Sequence, residues 1–110
     1  MSAAHDQALL QLLSMPEFNH SPTWTQAKPP NASKVVTGHR RFIGSDEETL
    51  INAYGTGSIE MISKAADFTA IPEKFDEFNV KGDIYIVHDV KHQIGFNGTV
   101  LFYRCFCKRG

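Results

Sequence analysis

The run Lys81-Gly82-Asp83-Ile84-Tyr85-Ile86-Val87-His88-Asp89-Val90-Lys91-His92, with Phe96-Asn97-Gly98-Thr99 and then Val100 to Lys108 behind it, constrains the fold more than any other stretch. Its two arms are filled with Val, Ile, Tyr and Phe, side chains that suit a pleated, half-buried surface. Asn97-Gly98 tolerates the positive φ angles of a tight type I′ turn, so the pattern predicts two long antiparallel strands joined there. Side chains alternate along a strand, which puts Ile84, Ile86, His88 and Val90 opposite Tyr85, Val87, Asp89 and Lys91. In the second arm Leu101, Tyr103, Cys105 and Cys107 share a face, and Val100, Phe102, Arg104, Phe106 and Lys108 line the other. That last row interleaves apolar rings with cations.

The remaining chain is read around this hairpin. Ala3 to Met15 reads as a short amphipathic helix closed by Pro16, with Leu9, Leu10, Leu12 and Leu13 on about half of its circumference. A helix this short is marginal alone in water, so the leucines must dock on the domain's own core or on a partner. Residues 17–33 form a Pro-rich connector with no period, in which Trp24 can pin the chain to the core. Strand signals follow over Lys34 to Ile43, where Gly38 marks a bend, then over Thr49 to Tyr54 and Ser58 to Ser63. The polar groups Gly44 to Glu48 and Gly55-Thr56-Gly57 separate them. Lys64 to Phe78 lacks alternation and reads as loop with one or two helical turns, broken by Pro72. The organisation expected is a helix over 1–16, a connector over 17–33 and one β domain over 34–110. Five strands with a loop or helix between the third and fourth is the order of an OB-fold barrel, a small closed sheet that binds oligonucleotides or serves as a subunit scaffold. An open β-sandwich has the same strand count.

Ala65-Ala66-Asp67-Phe68-Thr69-Ala70-Ile71-Pro72, Lys81-Gly82-Asp83-Ile84 and His88-Asp89-Val90-Lys91 together resemble the OB-folds of telomere single-strand end-binding proteins. The strand Gly57 to Ile62 is similar to the small OB subunits of replication-protein-A-type trimers. The resemblance covers about the second half of the chain and implies a nuclear subunit of a telomere or replication-type complex. The chain departs from the end-binding pattern at Ile86 and Val87, where an Arg and an aromatic commonly precede the His, and at Asp89, where an Arg commonly follows it. A carboxylate at that point repels phosphate, and the absent ring removes a stacking surface of about 1–3 kcal/mol per base.

Two functions follow from these residues. In the first, a small OB-fold subunit binds single-stranded nucleic acid, DNA in the telomere-type reading, through His39, Arg40, Arg41, Tyr54, Tyr85, Phe102, Arg104, Phe106 and Lys108. Cations track phosphates and rings stack on bases, and a formal net charge of −1 leaves the attraction to a local cationic face. In the second, the chain is a scaffold subunit, and Leu9, Leu10, Leu12 and Leu13 bind a protein partner or a second copy. No catalytic set stands out, so a non-enzymatic protein without cofactor is expected. His88 and His92 lie about 13 Å apart on an extended strand, and Cys105-x-Cys107 is not a usual zinc spacing, so no metal is expected either. The cysteines read as small apolar core residues. No apolar run reaches the ~18 residues of a membrane span. Asp6 stands where a signal peptide carries positive charge, so an intracellular protein is expected.

Overall fold

The computed structural model describes residues 3–44, 46–55 and 57–110. In chain order it runs α1 (Ala3–Ser14), β1 (Thr23–Thr25), β2 (Ser33–Val35), β3 (Gly38–Phe42), α2 (Glu48–Tyr54), β4 (Ile59–Lys64), a 3₁₀ turn (Ala65–Asp67), β5 (Glu77–Val80), β6 (Asp83–Ile94) and β7 (Val100–Arg109). The strands form one antiparallel sheet in the order β2-β1-β5-β6-β7-β4-β3, curled into a half-barrel with the two helices on its outside. The fold is mainly β with a short N-terminal helix, as expected, but it has seven strands instead of five. One expected strand, Thr49 to Tyr54, is lost to a helix, and three are gained: Thr23–Thr25 in the connector, which pairs with both β2 and β5, the split of Lys34 to Ile43 into β2 and β3, and β5, which begins inside the stretch Lys64 to Phe78 expected to be loop. Gly38, read as a bend, opens β3 just after that break.

The core lies on the concave side. Trp24, Ile59, Met61, Phe78, Val87 and Cys105 are fully buried there, beside Tyr85, Val80, Tyr103 and Cys107. Burying a large apolar side chain contributes about 1.5–3 kcal/mol, so these residues hold the curl closed. Trp24 anchors the connector, and its indole Nε1 donates to Asp76 Oδ2 at 2.9 Å. The backbone N–H groups of Ala27 and Glu73 satisfy the same buried carboxylate.

Three expectations are corrected. Thr49 to Tyr54 is not a strand but part of helix α2. Leu50, Ile51 and Tyr54 fall at helical spacing, and Gly55 ends the helix with φ 90°, its N–H donating to Ile51 O at 2.7 Å. The β6–β7 connection is longer than a two-residue type I′ turn. The Gly98 N–H donates to the Gly95 carbonyl, which leaves Phe96 and Asn97 at the centre, and only Gly98, φ 80°, takes the left-handed conformation. Strand β6 also carries a bulge. Val87 faces Cys107 while Asp89 faces Phe106, so His88 is the extra residue and the alternation shifts by one. Val90 therefore packs against the core with Tyr85 and Val87 instead of facing away from it. Ser45 and Thr56, in the two polar stretches around α2, lie outside the described residues.

Candidate functional site

The outer face of the sheet carries the row Phe102, Arg104, Phe106 and Lys108, on the side away from the core. Its neighbours are set by register. In an OB barrel the strand carrying His39, Arg40 and Arg41 would pair with the last strand; here β4 lies between β3 and β7, so the two do not pair directly. Across the sheet, His39 faces Ile62 and Ile62 faces Arg104. One step along, Arg41 faces Glu60, Glu60 faces Phe106, and Phe106 faces Asp89.

The two phenylalanines are covered. Phe102 is 6% exposed and lies against the leucines of α1. Phe106 is 2% exposed beneath Tyr54 of α2, whose ring stacks on it at 4.4 Å and 4°. The Tyr54 hydroxyl donates to Asp89 Oδ2 at 2.6 Å. That bond, with burial behind it, pushes the Tyr54 phenol up to about 12 and holds the Asp89 carboxyl below its ordinary value.

The cations on this face are paired. Glu60 is buried, and its two oxygens accept from different arginines: Oε1 from Arg41 Nε at 2.8 Å, Oε2 from Arg104 Nε. Arg41 Nη1 also donates to both oxygens of Glu47, at 2.8 and 3.0 Å. Burial works against the Arg41 cation, but its bonds to Glu47 and Glu60 outweigh that and raise its pKa. Lys91 pairs with Asp89 at 3.6 Å, and Lys108 remains exposed at the strand end.

Arg40 and Tyr85 belong to the other side of the sheet. Arg40 faces the core residue Met61 in register, and its Nη1 donates to Asp83 Oδ2 at 3.1 Å and to the Tyr85 hydroxyl at 3.0 Å. Asp83 also accepts from Arg109 at 2.6 Å. The Arg40 guanidinium sits 5.0 Å over the ring of Phe42, which is 64% exposed at the rim of the half-barrel. The nine residues predicted to grip nucleic acid thus divide between two faces: His39, Arg41, Tyr54, Phe102, Arg104, Phe106 and Lys108 outside, Arg40 and Tyr85 inside.

Of the four leucines, Leu13 is buried against the sheet, Leu9 and Leu10 are half-buried, and Leu12 is exposed. Asp6 fixes the helix to the hairpin by accepting from the Phe96 N–H at 2.6 Å. Gly95 permits this approach, since a Cβ there would fall 2.8 Å from Asp6 Oδ2. Between α1 and β3, His20 lies along the edge of β3, its N–H donating to Gly38 O and its Nδ1 accepting from the Arg40 N–H. Burial, then the nearby cations His39, Arg40 and Lys81, hold the His20 pKa below its ordinary value.

Residues that reading of the sequence missed are the carboxylates Glu47, Glu60 and Asp83, which neutralise the cations, and Phe42. A lone Glu in the otherwise apolar strand Ile59 to Ile62 is the one local signal for the first group, because a charge there needs a partner. Burial pushes the Cys105 thiol well up and the Cys107 thiol to about 12. Among the described residues no group of three His, Cys, Asp or Glu side chains could hold a metal ion, and no helix is long and apolar enough to cross a membrane. Fold and surface describe a curled antiparallel sheet whose outer rings Phe102 and Phe106 are covered and whose outer arginines Arg41 and Arg104 are tied to one buried carboxylate. No protein-family model, curated protein or solved structure matches the chain.

Proposed function

We propose that this chain is a small scaffold subunit, built on an OB-like curled sheet, that assembles with a protein partner and makes little direct contact with nucleic acid. One observation carries this reading. On the face that the alternation of rings and cations marked for single strands, Arg41 and Arg104 are already tied to the buried Glu60 and both phenylalanines are covered, while Lys108 and the outer nitrogens of Arg104 remain open. Stripping Glu60 from Arg41 and Arg104 would leave a buried carboxylate without a partner, a cost that phosphate binding would have to exceed. Large apolar side chains, by contrast, remain open to solvent along α1 and its exit: Leu12, Met15 and Phe18. Groups of this kind side by side mark association surfaces more often than isolated ones do.

The second reading is a single-strand-binding subunit of a telomere or replication-type complex. The exposed Phe42 ring, with the Arg40 guanidinium over it, favours it, because such a ring can stack a base. An oligonucleotide titration by fluorescence anisotropy separates the two. The scaffold reading expects no saturable binding at ~50 mM salt, and sedimentation with the partner that is lost in a Leu12→Glu, Phe18→Glu variant. Saturable micromolar binding with a log–log salt slope of about −1.5 to −3, abolished by Phe42→Ala, would replace it with the second.

A further inference from the structure

Between α1 and the outer face of the sheet lies a groove of about 380 Å³. Leu9, Leu12 and Leu13 form one wall, Ile62 and Phe102 the floor, and Phe18 closes one side. Its few polar groups are Gln93, His39 and Arg104. A mostly apolar cleft with a small number of placed polar groups, in this volume range, is the form of a small-ligand site. A two-chain lipid is too large for it, and a protein segment would need a longer trough.

The polar groups identify the ligand's head. His39 and Arg104 flank Ile62 in register on adjacent strands, so they stand two strand spacings apart, about 10 Å at the backbone, with Ile62 between them. Both side chains border the groove over that floor. Arg104 engages Glu60 through Nε, and among the described residues no other carboxylate pairs with it. Its terminal nitrogens keep N–H donors to give, and the side chain is 40% exposed. His39 Nδ1 lies 2.8 Å from the Phe18 carbonyl, which can only accept, so Nδ1 carries a proton and Nε2 is left facing outward from that bond. The apolar part identifies the tail. At about 30 Å³ for each methylene-sized group, the groove has space for about twelve groups, and with the carboxylate and the open side discounted it holds a tail of roughly eight to ten carbons.

We propose that this groove binds a free single-chain aliphatic carboxylate of about eight to ten carbons, with its tail along the α1 leucines and its carboxylate on Arg104 beside His39. The groove shares Leu12 and Phe18 with the surface proposed for a protein partner, so the ligand is titrated on the chain alone, where its binding is read whether or not a partner exists. Calorimetric titration of the full chain with acetate, hexanoate, octanoate, decanoate and decanol tests it, below the concentrations at which these form micelles. Decanoate should bind one to one at sub-millimolar concentration, and each methylene removed should weaken binding about two- to fourfold, because the groove is open on one side. Acetate should not bind. Decanol, which lacks the charge-assisted bond, should bind at least about tenfold more weakly. Arg104→Gln should remove the advantage of decanoate over decanol. Leu9→Trp, which fills the groove from the helix side and leaves the Glu60 pair intact, should weaken both ligands, with circular dichroism showing the fold retained. No saturable binding of decanoate up to about 1 mM, affinity independent of chain length, decanol equal to decanoate, or full binding by a folded Leu9→Trp variant would each overturn the proposal.

Discussion

Replacing Glu60 by Gln tests how the outer face is held together. The buried carboxylate takes two hydrogen bonds from guanidinium Nε atoms, and Arg41 Nη2 adds a second contact to Oε1 at 2.8 Å. Glutamine keeps one carbonyl acceptor, but its amide N–H groups would point at a guanidinium that can only donate. Removing one partner of a fully buried ion pair costs about 3–5 kcal/mol, and an exposed pair is worth about 0–1 kcal/mol. Glu60 is at the first limit. Its arginines are not, with side chains 33% and 40% exposed, so water can re-solvate them once they are released. The expected loss lies between these limits, at about 2 kcal/mol, which for a domain of this size lowers Tm by about 8 °C. Thermal and urea unfolding of the wild type, Glu60→Gln, Arg104→Gln and the double variant measure it. The double variant should show a coupling energy of about 0.5–3 kcal/mol between the two positions. A Glu60→Gln protein whose Tm falls by less than about 2 °C, with no coupling to position 104, would refute the claim that this carboxylate clamps the two strands.

Tyr54→Phe removes the hydrogen bond that raises the phenol and lowers the Asp89 carboxyl. The wild type should lose stability as pH rises from about 10 toward 12, where the unfolded phenol ionises first, and urea midpoints across that window should show the variant without that loss. His20 has a folded pKa below 6.5, so the unfolded chain takes up a proton first as pH falls below that value and stability drops there. His20→Asn keeps an acceptor for the Arg40 N–H and should flatten the stability profile between pH 7 and 5; an unchanged slope would assign the loss to another group. Leu13→Ala, at the one buried leucine of α1, should cost about 2 kcal/mol, at the low end for a core leucine because the groove beside it lets the site relax. A urea midpoint identical to wild type would mean that α1 does not rest on the sheet in solution. Cys105 and Cys107 should resist a thiol reagent such as 5,5′-dithiobis(2-nitrobenzoate) in the native protein and react fully in denaturant, because burial holds both as neutral thiols. Fast native labelling of either cysteine would contradict the packing of β7.

Local pattern alone carried the long hairpin, the N-terminal helix and the anchoring of the connector by Trp24. Period-two alternation, a Pro-terminated leucine stripe and an isolated Trp are signals that each segment contains within itself. Tertiary structure decided what those signals could not hold. Thr49 to Tyr54 is short and apolar enough for either state, and becomes α2 where its Tyr54 ring covers Phe106 and Gly55 ends the helix. The bulge at His88 reverses the faces of the second half of β6, and it exists only in the register of that strand against β7. Above all, whether a row of rings and cations is a binding face depends on what lies beside it. Arg41 meets Glu60 across 19 residues, Arg40 meets Asp83 across 43 and Arg104 meets Glu60 across 44. Those meetings follow from β4 lying between β3 and β7 and from the curl that brings β3 to β6. Charge neutralisation at such separations belongs to strand order, and no window of the sequence contains it.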